Sequence, residues 1–124
     1  MILKISMILT YSKTMNRGEI WNVNFNPANG DEIQKTRPAI IISSDEIKGL
    51  KLKAIIPILE VRKPQSRHIK IIKSKSNGLA KDSHADTFQI KSVSTDRFVK
   101  KMGVLTEEEL ADIGAMAMLV LGLL

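Results

Sequence analysis

Two apolar runs rich in β-branched residues limit what this chain can fold into more than any other feature. The first, Ala39-Ile-Ile-Ile42, is continuous and therefore reads as a central strand buried on both faces. The second spans residues 52–59 (LKAIIPIL), and Pro57 inside it predicts an edge or a bulge toward its end. Arg37-Pro38 stands immediately before the first run. The proline restricts the arginine to extended geometry, so its guanidinium is presented at the mouth of a strand anchored by buried residues.

The flanking segments follow the same grammar. Trp21, Val23 and Phe25 alternate with asparagines, which predicts a half-buried strand with those three side chains inward. Asn26-Pro-Ala-Asn-Gly30 stops it. The loop that follows runs to about Thr36, long for a hairpin connection and therefore a candidate for function. Residues 68–73 (HIKIIK) predict a strand with a basic outer face, residues 74–83 a loop, residues 87–93 a further strand, and residues 98–105 a short last one. Ser94-Thr95-Asp96 reads as a capped turn. Thr106-Glu-Glu-Glu109 matches a capping box, and Leu110, Ile113, Ala117, Val120 and Leu121 follow at helical spacing. Met116, Met118 and Leu119 make the helix end apolar nearly all round, which suits either a tuck against the sheet or a subunit interface. Five or six short strands and one terminal helix give a mainly β, α+β chain: a strongly bent antiparallel sheet or small barrel.

With 124 residues, the chain is long enough for one domain with its own core, here placed at residues 15–124. Residues 1–14 read as a loosely attached extension or as a start assigned upstream of Met15; their apolar part is too short to span a bilayer. The absence of cysteine removes disulfides, zinc-thiolate sites and thiol nucleophiles together. Nothing argues for export, and the expected location is the cytoplasm. A net charge of +6 suits a polyanionic partner as well as an ordinary basic protein. The aromatics are Tyr11, Trp21, Phe25, Phe88 and Phe98, too sparse for an extended base-stacking platform.

No phosphate-binding glycine loop, metal-ligand cluster or nucleophile motif is present, and no cofactor is called for. His68 and His84 have ordinary structural readings, and Asp82, His84 and Asp86, spaced by two in a loop, fall short of a metal-site pattern. Glu32 and Arg37 share one loop and supply a carboxylate and a fixed cation. In RNA phosphodiester cleavage the first suits deprotonation of the 2′-hydroxyl. The second suits charge on a phosphorane-like transition state, since its planar fork matches phosphate oxygens.

The order Arg17-Gly-Glu-Ile-Trp21, Asn26-Pro27, Gly30-Asp-Glu32 and Arg37-Pro-Ala-Ile-Ile-Ile-Ser43 resembles the amino-terminal signature of the MazF/PemK family of toxin–antitoxin endoribonucleases. Further matches are Ile56-Pro-Ile58, His68-Ile69, Asp82-Ser83, Gln89-Ile-Lys-Ser-Val93 and the terminal helix, so the resemblance covers residues 17–121. It implies an SH3-like barrel of the CcdB/MazF type with a terminal helix, usually as a homodimer. It also implies metal-independent cleavage of single-stranded RNA at a short sequence, by attack of the 2′-oxygen. The implied partner is a cognate antitoxin whose acidic tail occupies the RNA site. By the resemblance, Arg37 and Glu32 are the catalytic pair, and Asn29, Lys35, Thr36, His68, Gln89 and Lys91 are the substrate-binding set. Two departures stand out: Leu59 occupies the place of a catalytic serine or threonine, and Phe88 the place where some members carry a carboxylate. Leucine can neither donate a hydrogen bond nor share a proton. Catalysis by Arg37 and Glu32 alone, substitution by His68, and lost activity all remain open on the sequence. The alternative function is a non-catalytic RNA binder or enzyme-poisoning protein on the same fold, as barrel relatives are toward gyrase.

Overall fold

The structure is a computed structural model, described here over residues 14–124. All but the last residue of the expected extension 1–14 lies outside the described residues. The strands are β1 (Glu19–Asn24), β2 (Thr36–Ile41), β3 (Leu52–Leu59), β4 (His68–Ile71), β5 (Ser83–Asp86), β6 (Lys91–Ser94) and β7 (Phe98–Val104). They are followed by helix α1 (Glu107–Val120), and short 3₁₀ turns at Thr87–Gln89 and Thr95–Arg97 flank β6. The antiparallel sheet runs β4-β5-β3-β2-β1-β7, with β6 on β3. Its two ends meet: the Val104 amide donates to the Ser76 carbonyl at 2.9 Å, joining β7 to the turn after β4. This is the small α+β barrel with a terminal helix that the sequence predicts.

Both apolar runs are central strands. Ala39, Ile40 and Ile41 of β2 are fully buried, as are Ile55 and Ile56 of β3. Alternation along the strands sorts them into two cores. Ile20, Ile40, Ile56 and Ile58 pack with Ile113 and Ala117 of the helix, whereas Trp21, Val23, Phe25, Ala39, Ile41, Ile55 and Val93 form the second core. β1 is therefore buried on both faces at its start, because Ile20 points opposite to Trp21 and Val23. The expected alternation describes only one of its two faces.

Pro57 does not make an edge. β3 pairs with β6 through Ile55 and Lys91, then with β5 through Ile58 and Ala85, while its other side stays on β2 through Ala39 and Pro57. The residue without an N–H thus sits in the gap where one neighbour replaces another, and no ladder bond is forfeited there. The expected strand over residues 87–93 is also corrected. Asp86 accepts the Phe88 amide and caps a 3₁₀ turn at Thr87–Gln89, so the strand begins only at Lys91 as β6, and a separate strand, β5, precedes the turn. His84, expected in a loop, lies in β5.

The helix begins with the capping box predicted for it: Glu109 N–H donates to Thr106 Oγ1 at 3.1 Å, and Thr106 N–H to Glu109 Oε1 at 3.0 Å. Ile113 and Ala117 are buried, but Met118, Leu119 and Leu121 are exposed. The helix end is not tucked against the sheet. Among the described residues, no helix is long and apolar enough to cross a membrane.

Candidate active site

The loop of residues 25–35 is closed at its base by Lys35. The Phe25 amide donates to the Lys35 carbonyl at 2.9 Å, and the Lys35 amide to Asn26 Oδ1 at 3.0 Å. Lys35 itself has φ +66°, a left-handed conformation that costs a side-chain-bearing residue about 1–2 kcal/mol. Arg97 braces the loop's start by donating to the carbonyls of Asn24 and Asn26. Strain held by so many bonds at a loop base is the pattern of a segment fixed for use.

Inside the loop, Asn29 and Glu32 form a reciprocal turn. Glu32 N–H donates to the Asn29 carbonyl at 3.0 Å, and Asn29 N–H to Glu32 Oε1 at 2.9 Å. The second carboxylate oxygen, Oε2, faces Lys91 Nζ of β6 at 3.7 Å. Glu32 therefore stands at a cleft of about 650 Å³ lined by Ile33, Arg67, Asp86, Phe88, Gln89 and Lys91. Lys91 also lines a smaller pocket that extends to Pro27 and Arg97. The lining of the two pockets carries Asp31, Glu32 and Asp86 beside Arg67, Lys91 and Arg97, so carboxylates and cations alternate along this face.

Arg37 lies elsewhere on the same loop-and-strand unit. It is exposed near the start of β2, opposite Val23 of β1, and does not line the large cleft. Continued two residues past the Ala39–Pro57 pair, the register of β2 and β3 sets Arg37 opposite Leu59. Leu59 is half-buried and pairs with His84 on its other side, so it brings no hydroxyl to the arginine. Thr36 and Lys35 are exposed and adjacent to Arg37.

Two residues of the expected binding set are engaged internally. Gln89 Oε1 accepts the Ile33 amide at 2.8 Å, and its Nε2 donates to Asp86 Oδ2 at 3.3 Å. His68 Nδ1 accepts the Gln65 amide at 2.9 Å, which leaves the ring proton on Nε2, facing Asp86 Oδ2 at 3.6 Å. The His68 side chain is only 6 % exposed. With Nδ1 bonded, Nε2 turned toward Asp86 and the ring buried, it is poorly placed to replace the missing hydroxyl.

Asp86 is the residue that sequence reasoning missed. Its side chain is 4 % exposed and is ringed by the Phe88 amide, Gln89 Nε2, Arg67 Nε and His68 Nε2, all within 3.6 Å. Such a buried carboxylate is stable only when its oxygens are met by donors of this kind. Nothing in the one-dimensional pattern marks it, because Arg67 and His68 come from before β4 and from its first residue. Glu19 is a second buried carboxylate with a structural role. It accepts from Trp21 Nε1 at 2.9 Å and from the Asn16 amide, and pairs with Lys101 at 3.0 Å, which gives the Arg17–Trp21 signature a packing explanation.

His84 is held below the ordinary histidine range, chiefly by burial and then by the charges of His68 and Lys70. Among the described residues no group of His, Asp and Glu side chains is arranged to hold a metal ion, and Asp82 caps the Lys73 amide instead.

Residues 16–121 match the family profile described as PemK-like, MazF-like toxin of type II toxin–antitoxin system. The chain is 30% identical over 105 residues to endoribonuclease MazF9 of Mycobacterium tuberculosis, an alignment covering 80% of this chain and 89% of that protein. A shorter stretch of 50 residues is 36% identical to a probable endoribonuclease, MazF1, of the same organism. In fold, the chain is similar to MazF from Deinococcus radiodurans, with a TM-score of 0.75 at 18% identity, covering 87% of this chain and 96% of that one. It is likewise similar to a mycobacterial endoribonuclease solved in complex with its cognate antitoxin (TM-score 0.73, 13% identity, 90% and 98% covered). Matched along nearly all of its barrel and helix, the chain belongs to the PemK-like, MazF-like toxin family of type II toxin–antitoxin systems.

Proposed function

We propose that this protein is the toxin of a type II toxin–antitoxin pair and acts as a sequence-specific endoribonuclease on single-stranded RNA, without a metal ion. One observation carries the proposal: Glu32 is held at an open cleft, tied to Asn29 and facing Lys91, on a chain whose family signature includes that glutamate. Glu32 takes the proton from the 2′-hydroxyl. The 2′-oxygen bonds to phosphorus, the bond to the 5′-oxygen breaks, and the leaving oxygen takes a proton from solvent water, giving a 2′,3′-cyclic phosphate and a 5′-hydroxyl. Arg37, exposed at the start of β2 outside the cleft lining, takes the role of stabilising charge on the phosphoryl oxygens of an RNA that reaches past the loop. Asn29, Lys35, Thr36 and Lys91 line the approach of the RNA, and the barrel of residues 15–124 is the functional unit.

The cognate antitoxin, through an acidic segment, occupies the same cleft, and the exposed apolar end of α1 supports a homodimer. With RNA as substrate, the protein works in the cytoplasm. The test is to incubate wild type and Arg37→Ala with mixed single-stranded RNA in EDTA and to map the new ends. Cuts at one short motif by the wild type, lost in the variant, are the expected result; intact RNA rejects the proposal.

Leu59 favours a second reading, a non-catalytic RNA binder or enzyme poison on the same barrel, because no hydroxyl accompanies Arg37. Growth arrest that survives Arg37→Ala distinguishes it.

A further inference from the structure

The cleft described above contains a side chain whose two polar ends are both occupied. Gln89 bridges residues far apart in sequence: its oxygen accepts the Ile33 amide and its nitrogen donates to Asp86. The assignment of its amide ends follows from the partners, since an N–H requires the oxygen and a carboxylate requires the nitrogen. Asp86 is in turn fixed by the Phe88 amide and by the Arg67 and His68 side chains. Arg67 is held by its own carbonyl, which accepts both the amide and the hydroxyl of Thr87. The chain of bonds therefore runs from a buried anchor outward to the residue next to Glu32.

We infer that Gln89 and Asp86 are positioning residues, a latch that sets the Glu32 carboxylate relative to the cleft, and that Gln89 is not a reader of RNA bases. The other ties on residues 29–33 are weaker or local. The Asn29–Glu32 turn is internal to the loop, and the Glu32–Lys91 ion pair is half exposed to solvent, where such pairs contribute little. The Ile33 side chain packs on the Trp21 and Val23 core, but a side chain sliding on an apolar surface does not fix an angle. The hydrogen bond from the Ile33 amide does. Misplacement of a reacting group by about 1 Å is enough to cost about 100-fold in rate.

As a statement about catalysis, the inference rests on the endoribonuclease reading; as a statement about the loop, it does not. Two variants separate the cases. Gln89→Met keeps the volume and removes both bonds. Asp86→Asn keeps an acceptor for the Phe88 amide but turns the atom facing Gln89 from acceptor to donor, so it cuts the latch at its anchor without touching the Ile33 bond. Hydrogen exchange at Ile33, turnover, KM and the mapped cut sequence are measured for each. Expected in Gln89→Met are exchange at least about tenfold faster and turnover about tenfold lower, with KM and cut sequence unchanged. Asp86→Asn is expected to move both in the same direction, again with the cut sequence unchanged. Exchange at Ile33 unchanged in Gln89→Met overturns the latch, as does unchanged turnover despite faster exchange. A shifted cut sequence makes Gln89 a base-contacting residue and also overturns it. If the wild type cuts no RNA, the endoribonuclease reading fails on its own, and the exchange measurements still decide whether the latch holds the loop.

Discussion

Lys91 Nζ stands 3.7 Å from Glu32 Oε2, so the carboxylate that closes the reciprocal turn with Asn29 is already paired with a cation of β6. The pair joins two segments that the sequence keeps far apart. Both side chains are partly open to solvent, and the ion pair therefore contributes to the site rather than to the fold. Lys91→Ala is expected to change the melting temperature little and to weaken single-stranded RNA binding, lowering the salt slope of log K by about 0.7. Titrations at several salt concentrations check this; an unchanged slope removes Lys91 from the RNA path.

Arg37 is exposed and has no side-chain partner among the described hydrogen bonds, so its replacement leaves packing intact. Arg37→Lys keeps the charge and loses the planar fork. It is expected to fold with wild-type stability but to cleave at least about tenfold more slowly, since a bidentate phosphate contact becomes a point charge. Single-turnover cleavage beside a thermal melt separates the two effects.

The closure of the barrel depends on Gly103. A Cβ there would lie 2.2 Å from the Ser76 carbonyl oxygen and 2.6 Å from the Asn77 carbonyl carbon, both backbone atoms that cannot yield cheaply. Gly103→Ala is expected to destabilise the protein by more than about 3 kcal/mol, at the high end of single substitutions. A denaturant titration that moves the midpoint only slightly would show that β7 and the turn at Ser76 can separate without loss of the fold.

Loss of the capping box has a milder cost. Thr106→Ala removes the acceptor for the Glu109 amide and is expected to cost about 1 kcal/mol, read from denaturant midpoints.

His84 makes stability depend on pH. Its folded pKa lies below the ordinary 6.5, chiefly because burial penalises the charged ring, helped by His68 and Lys70. The folded state thus binds fewer protons than the unfolded chain just below pH 6.5. The contribution is present in full above that pH and is lost as pH falls toward the lowered folded value. In His84→Gln this part of the slope is expected to vanish, which melts between pH 5 and about 7.5 will show.

Much of this architecture is readable in the chain without coordinates. The first apolar run announces a buried central strand because only a two-sided strand tolerates Ala39 to Ile41 without a polar break, and the capping box announces the helix because its chemistry is local. The loop that carries Glu32 and precedes Arg37 is visible for the same reason: turn residues and Pro38 act on their immediate neighbours. What only the tertiary structure decides is everything that depends on residues meeting from a distance. Pro57 sits harmlessly inside a central strand because β6 and β5 exchange places beside it. Asp86 caps a turn that takes the place of the first half of an expected strand, and with Gln89, 56 residues from Ile33, it holds the Ile33 amide. Such contacts arise from the curl of the sheet, which brings β5 and β6 against the loop after β1, and no local propensity encodes that approach.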